Sequence, residues 1–587
     1  MKAFKRAPRR CLALPLAGVI VACVSEGRAQ PAVTAPVVTF AEQGWTAADR
    51  EIFYTTGQGS RIMPYAWFKA LRRLDVDEPF AGDQLQRYGY LPNDRSVRNP
   101  EGLPVGFVIG GNATTGVLGM TCAACHTGQL EYQKKDGATL VLRLDGAPTN
   151  ADFQAFLTDL TAAARATLTQ DARFTTFAKA VLGNGYSAAR ASQLKAAFKT
   201  WVDGFGAFMD KSLPASPWGP GRLDAFGMIF NRVAGLDLGI KDNVKSADAP
   251  VSYPFLWNAS RQDHTQWNGG VPNGLFINAL GRNTGEVFGV FAEFKPKRLG
   301  PLVIYIDNSA DLVGLQTLEE QIVKLKPPPW PSDFPYDEGL AKQGEALFKR
   351  ECWSCHNDEP SPLVKGAWKT PVKAVGTDPK MAQNAERTVA SGILEGQLVP
   401  PPPVGSFLEK ESTAHDVLAV SVVGTLTGAL LGPPSQRNGV IRALQADAAK
   451  LLPDGKLNAG EVLRMHEMLK ANLQGLFKKP ATADAGAAYE SRSLHGIWAT
   501  APYLHNGSVP NLWELLTPAK DRQTKFMVGS RVYDPKNVGY ATDQSPFKAT
   551  FVADPQNANG NGNGGHEYGA TLSENERWAI IEYLKKY

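Results

Sequence analysis

Two pentapeptides carry the chemistry of this 587-residue chain: Cys122-Ala123-Ala124-Cys125-His126 and Cys352-Trp353-Ser354-Cys355-His356. In C-x-x-C-H two thiols stand three residues apart and an imidazole follows at once. That spacing lets both thiols bond covalently to one porphyrin while the histidine reaches its iron from one face. A zinc site made of two C-x-x-C pairs, or a thioredoxin-like redox pair, uses the same thiols. Neither needs a histidine in the next position, still less twice. There are six cysteines. Cys11 and Cys23 fall in the leader described below, and the motifs consume the other four, so no disulfide framework is left over. Two covalently bound c-type haems are the expected cofactors. Calcium is a further expectation, with no residues assigned to it.

A haem iron has two axial positions, and what fills the second decides between electron transfer and ligand chemistry. Outside the motifs the histidines are His264, His415, His466, His495, His505 and His566. His566 lies in Gly564-Gly565-His566-Glu567-Tyr568, where glycines let the backbone come close to a haem face. It is the first choice to oppose His356 on the second iron. His505, in Tyr503-Leu504-His505-Asn506-Gly507, is the alternative, followed by Met527 and the helical pair Met465 and Met468. For the first iron, held by His126, His264 is the only histidine between the motifs, and a polar loop residue is its plainer reading. Met209 and Met228 carry no motif. The first haem is therefore expected to keep an open face and to be the reaction centre, with the second as electron reservoir. Trp257, Trp267 and Phe276 are the expected walls of its pocket, in a segment that also holds Phe255, Phe288 and Phe291. Arg222, Arg282 and Arg298 are the expected propionate partners.

The elements that must position these groups are expected to be mainly helical with much irregular loop, because 57 Gly and 41 Pro break regular structure often. Helices are expected over 64–74, over 187–205 and from 278 to 294. Asn150 reads as the N-cap of another, with Phe153, Phe156, Leu157 and Leu160 on one face. A short strand fits 140–145. The run Pro327-Pro328-Pro329-Trp330-Pro331 marks a rigid connection. Beyond it, Gly344, Leu347, Phe348 and Cys352 have the spacing of a cytochrome c N-terminal helix, over 340–351. Its expected partner is a C-terminal helix over 573–587, with Ser573 and Glu576 as a capping box and Trp578, Ile581 and Leu584 turned inward. Residues 400–403 and 556–565 read as loops. The chain thus divides into a signal peptide (1–29), an N-terminal domain with the catalytic haem (30–326), a Pro-rich linker (327–336) and a C-terminal cytochrome c domain with the electron-transfer haem (337–587).

The leader has a basic start (Lys2, Lys5, Arg6, Arg9, Arg10), an apolar run over 11–24, and small residues at Gly27 and Ala29 for cleavage before Gln30. It points to a periplasmic or secreted address. Ile20-Val21-Ala22-Cys23 also resembles a lipobox, and acylation of Cys23 would instead hold the protein on a membrane. Residues 1–29 carry six Lys/Arg and one Glu, which is the whole of the formal net charge of +5. The remainder is neutral, so charge gives no support for nucleic-acid binding.

Several stretches resemble a known family. The segments 344–356, 495–516 (HGIWATAPYLHNGSVPNLWELL) and 565–569 (GHEYG), with the final helix, resemble the bacterial di-haem cytochrome c peroxidase superfamily. Residues 54–68, 102–107, 121–132, 142–148 and 255–269 look closer to one branch, the di-haem rubber oxygenases and fatty-acid dioxygenases. The resemblance implies O2 binding at the haem of His126 and a second haem held by His356 and His566. It implies a dioxygenase adding O2 to a C=C bond of polyisoprene, an isoprenoid or an unsaturated fatty acid. The alternatives are a peroxidase that reduces H2O2 with electrons from a small redox partner protein, and a periplasmic electron-transfer cytochrome that is not an enzyme.

Overall fold

Helices dominate and strands are short in the computed structural model, which describes residues 37–111, 114–262, 264–300, 302–357, 369–399, 406–451 and 487–587. The leader, Met465, Met468, His466 and the 400–403 loop lie outside the described residues. From Val38 to Tyr587 the chain makes one compact unit. Among the described residues no single helix is long and apolar enough to cross a membrane.

The first motif is a single 3-10 turn, Cys122–Ala124, pressed against the backbone at Gly106. A Cβ there would run into the Ala124 amide, and Gly106 has a φ of 77°. From His126 the chain enters the hairpin Thr127–Gln133 and Thr139–Asp145, which covers the expected strand. The helix Phe153–Thr169 buries Phe153, Phe156, Leu157 and Leu160 as expected. Its N-cap is Asp152, whose carboxylate accepts from the Ala155 amide at 2.9 Å. Asn150 instead donates across the molecule to the Ser530 carbonyl. Either residue type suits a cap, and Asn150 has its side chain engaged elsewhere. The remaining expected helices appear as Tyr65–Ala70, Ala188–Ser212 and Phe276–Gly289.

The two helices that frame the second motif, Glu338–Glu351 and Glu574–Lys586, cross at Gly344. A Cβ on Gly344 would collide with the Ala579 carbonyl oxygen, so the glycine permits the close crossing. Ser573 and Glu576 form the expected capping box. Ile581 and Leu584 are buried, and Trp578 stacks on Trp513 with ring centres 4.2 Å apart. Burying side chains of this size contributes roughly 1.5–3 kcal/mol each. The same core takes Trp45, Phe53 and Trp257 from the N-terminal part. Trp330 and Phe334, from the Pro-rich stretch, pack on Trp498 inside it, so this stretch is part of the interior.

Candidate functional site: two cavities with one wall

Each C-x-x-C-H turn opens onto a cavity. Cys122, Cys125 and His126 line the first cavity. The second is lined by Cys352, Cys355, His356, His505 and His566. None of the four cysteines is in a disulfide. Burial pushes the thiols of Cys122, Cys125 and Cys352 up to about 12. A redox C-x-x-C pair instead needs a thiol of lowered pKa, so the thioredoxin-like alternative does not fit.

In both turns the imidazole is fixed by a backbone carbonyl brought from far along the chain. His126 Nδ1–H donates to the Pro254 carbonyl at 2.9 Å, and His356 Nδ1–H donates to the Arg492 carbonyl at 2.7 Å. Burial lowers both pKa values, that of His126 to about 4, so each ring is neutral. With the proton on Nδ1, Nε2 keeps its lone pair for a metal.

Across the second cavity His566 faces His356, with ring centres 6.3 Å apart. Two metal–imidazole bonds of about 2 Å, plus about 1 Å from nitrogen to ring centre on each side, make roughly 6 Å. One iron between the rings therefore fits. Burial and the neighbouring His356 and Arg522 push His566 down to about 3, and its buried Nδ1 has no hydrogen-bond partner. The loop that carries it is held by Arg522, which donates to the carbonyls of Asn563, Gly565 and His566 at 2.7, 2.8 and 3.2 Å. His505 also lines this cavity, but it lies flat on Tyr489, with ring centres 4.0 Å apart. Its carbonyl accepts from the Ser252 amide. Met527 lies in the strand Lys525–Met527, off the cavity.

The first cavity is different. Among the described residues His126 is the only histidine that lines it. His264 sits in the short strand His264–Thr265, paired with Val271–Pro272, and does not line it. Met209 and Met228 are buried in the aromatic core of the N-terminal part. Among the described residues the methionine that lines the cavity is Met381. Of the three expected wall residues, Trp267 alone is in place. It lines both cavities, and its indole donates to the Ser252 carbonyl at 2.7 Å. Trp257 stands behind the wall, stacked on Phe255 at 4.9 Å and donating to the His495 carbonyl. Phe276 opens the Phe276–Gly289 helix and packs into a separate core.

That helix instead turns Arg282, Asn283 and Glu286 to the cavity, opposite apolar residues such as Phe226, Val251 and Ile322. Burial raises the Glu286 carboxyl above its ordinary range, although Gln266, which donates to it, and Arg282 act the other way. Arg282 is paired with buried Glu319. Arg222 donates to the Gly560 carbonyl and Asn561, and Arg298 to the Ile393 and Glu395 carbonyls. Arg222 and Arg298 lie off both cavities, which corrects their assignment as propionate partners. The arginine that lines both is Arg492. Among the described residues no group of three or more His, Cys, Asp or Glu gathers to hold a metal ion, so no calcium site is assigned.

Compared with known proteins, the chain is 32% identical to y4iJ of Sinorhizobium fredii over 615 aligned positions, covering 93% of each chain. It belongs to the y4iJ family. A second protein of that organism, y4iM, is 25% identical over 362 positions, which span 60% of this chain and 64% of y4iM. Residues 488–527 match the RoxA-like, cytochrome c-like family. That segment supplies the Arg492 carbonyl, His505 and the Arg522 clamp, and so builds one side of the second cavity. A cytochrome c-like domain carries covalently bound haem, and its RoxA-like character points to a haem oxidoreductase of the rubber oxygenase type.

Proposed function

We propose that the chain is a periplasmic or secreted di-haem oxidoreductase that adds O2 to a C=C bond of an apolar substrate at the first cavity. Polyisoprene, a smaller isoprenoid or an unsaturated fatty acid are the substrate classes. Cys122, Cys125 and His126 would hold the first haem, and Cys352, Cys355, His356 and His566 the second. The haems supply the oxygen and electron chemistry, while the protein binds, orients and excludes water. The observation that carries the reading is the asymmetry of the two cavities. Two facing histidines line the second, whereas among the described residues His126 is the only histidine that lines the first.

Phe226, Val251, Val290 and Ile322 give the first cavity apolar walls on which a hydrocarbon chain can lie. Phe255 and Trp267 stand in the partition and separate that chain from the second site. A second reading, H2O2 reduction with a small redox partner protein, is favoured by one observation. Glu286, held by Gln266, is a buried carboxyl of raised pKa in the same cavity, able to keep a proton and give it up. Reducing H2O2 to two waters takes two protons and two electrons, and Glu286 would deliver protons.

The deciding experiment starts from the protein carrying its haems. A CO complex of the reduced protein at one of two haems is expected, as is oxygen uptake with oleate or an isoprenoid. Two six-coordinate low-spin haems that take up no CO would overturn the enzyme reading. Turnover of peroxide with a reduced small cytochrome, and no oxygen uptake with any unsaturated substrate, would replace the dioxygenase by the peroxidase.

A further inference from the structure

The two fixed imidazoles are joined to each other by a short chain of hydrogen bonds. His126 Nδ1–H donates to the Pro254 carbonyl at 2.9 Å. The next carbonyl along, that of Phe255, accepts from Arg492 Nη2 at 2.7 Å. Arg492's own carbonyl accepts from His356 Nδ1–H at 2.7 Å. One peptide step on one segment and one arginine on the other thus separate the two metal-facing rings. Chance placement of a surface arginine does not account for this. Arg492 is 7% exposed, its guanidinium lies 4.0 Å from the centre of the Phe255 ring, and Nη2 also donates to Gln262 Oε1 at 3.1 Å. Its Nε is buried with no hydrogen-bond partner. Burial brings its pKa down to about 10, against the pull of Glu490, so it stays a cation at neutral pH. The residue lines both cavities.

We infer that Arg492 is a positioning residue that couples the two haem sites, its cation favouring the reduced state of both and its backbone tying the His356 ring to the segment that fixes His126. This rests on the di-haem reading above. Each reduction adds an electron beside a fixed positive charge in a low-dielectric wall, where such a charge acts strongly. The same residue carries the hydrogen bond that orients one proximal ring, and outer partners of that kind tune the metal they support.

The test is a spectroelectrochemical titration of the intact protein, with haem stoichiometry read by mass. In R492Q both midpoint potentials are expected to fall, and in R492K, which restores the cation, both are expected to recover towards wild type. A second measurement needs no substitution. When the wild-type protein is half reduced by a mild reductant, the electron paramagnetic resonance g-values of the haem still ferric are expected to differ from its values in the fully oxidised protein. If R492Q moves neither potential or only one, or R492K fails to recover them, or the half-reduced g-values are unchanged, the coupling is overturned. Two haems by mass with such results would leave the di-haem reading standing. Fewer than two haems in the wild-type chain would overturn that reading and the coupling with it.

Discussion

Glu286 sits where a hydrocarbon-binding cavity has least use for a carboxyl group, and its chemistry separates the two enzyme readings at the scale of one residue. Burial raises its pKa above the ordinary 4.5. Over the window from 4.5 up to its folded value, the folded protein keeps a proton that the unfolded chain has released. The proton is lost as pH rises through the folded value, and with it any stability the neutral form contributes. Peroxide turnover that depends on this acid is therefore expected to hold across that window and to fall as pH rises through the folded value. E286Q, which cannot give up a proton, is expected to cut it roughly 10²-fold, while leaving CO binding intact and oxygen uptake with oleate within about twofold. A peroxide rate that E286Q leaves unchanged would remove Glu286 from the chemistry. The sequence did hold a signal for this residue. Arg282, Asn283 and Glu286 make a polar stripe on a helix whose other positions, Asn278 and Thr284 apart, are apolar or glycine. What it could not show is that the stripe meets a cavity, because the opposite walls come from Phe226 and Ile322, far away in the chain. Trp257 and Trp267 were indistinguishable for the same reason: two indoles ten residues apart, one in the wall and one behind it.

At the scale of the element, the C-terminal helix pair and the His566 loop were legible because their signals are local. The capping box is set by neighbours in sequence, and the glycine is readable from its fixed spacing to Cys352. Gly344 has one task, the helix crossing at Ala579. G344V is expected to destabilise the protein by roughly 1–3 kcal/mol, as overpacking does, read as a fall in Tm of the haem-loaded chain. The loop depends on a less visible device. Its left-handed residues Gly565 and His566, with φ of 72° and 53°, hold their shape because Arg522 gathers the carbonyls of Asn563, Gly565 and His566. Burial lowers Arg522 to about 10, and it remains charged at neutral pH. R522Q leaves those buried acceptors unsatisfied, at a cost on the order of 3 kcal/mol, and frees His566 to leave its place opposite His356. The expected signature is a high-spin component from the second haem in the oxidised protein. A wholly low-spin second haem in R522Q would show that the loop holds itself.

For the whole molecule, the wall between the two motifs is built jointly. Ser252, Tyr253, Phe255 and Trp267 come from the N-terminal part, Glu490 and Arg492 from the C-terminal part, and all six line both cavities. Trp257 donates to the His495 carbonyl, Trp498 to the Pro328 carbonyl, and Glu131 to the Arg531 carbonyl through their N–H groups. The sequence pattern places a complete cytochrome c frame in 337–587, from the Glu338–Glu351 helix to the last residue, and on that pattern alone the segment should stand by itself. The packing argues otherwise. Cut away from residues 30–336, Trp498 and Ile580 lose part of the core they share with Trp45 and Phe53, and Arg492 becomes a buried cation without its acceptors at Phe255 and Gln262. A 337–587 fragment exported and matured on its own is therefore expected to lack the cooperative unfolding transition and the sharp near-ultraviolet circular dichroism of the full chain, even where its thioether bonds form. Co-expression with 30–336 is expected to restore both. A fragment that unfolds cooperatively and shows a low-spin haem of unaltered potential would mean that the joint wall is a contact between self-sufficient halves.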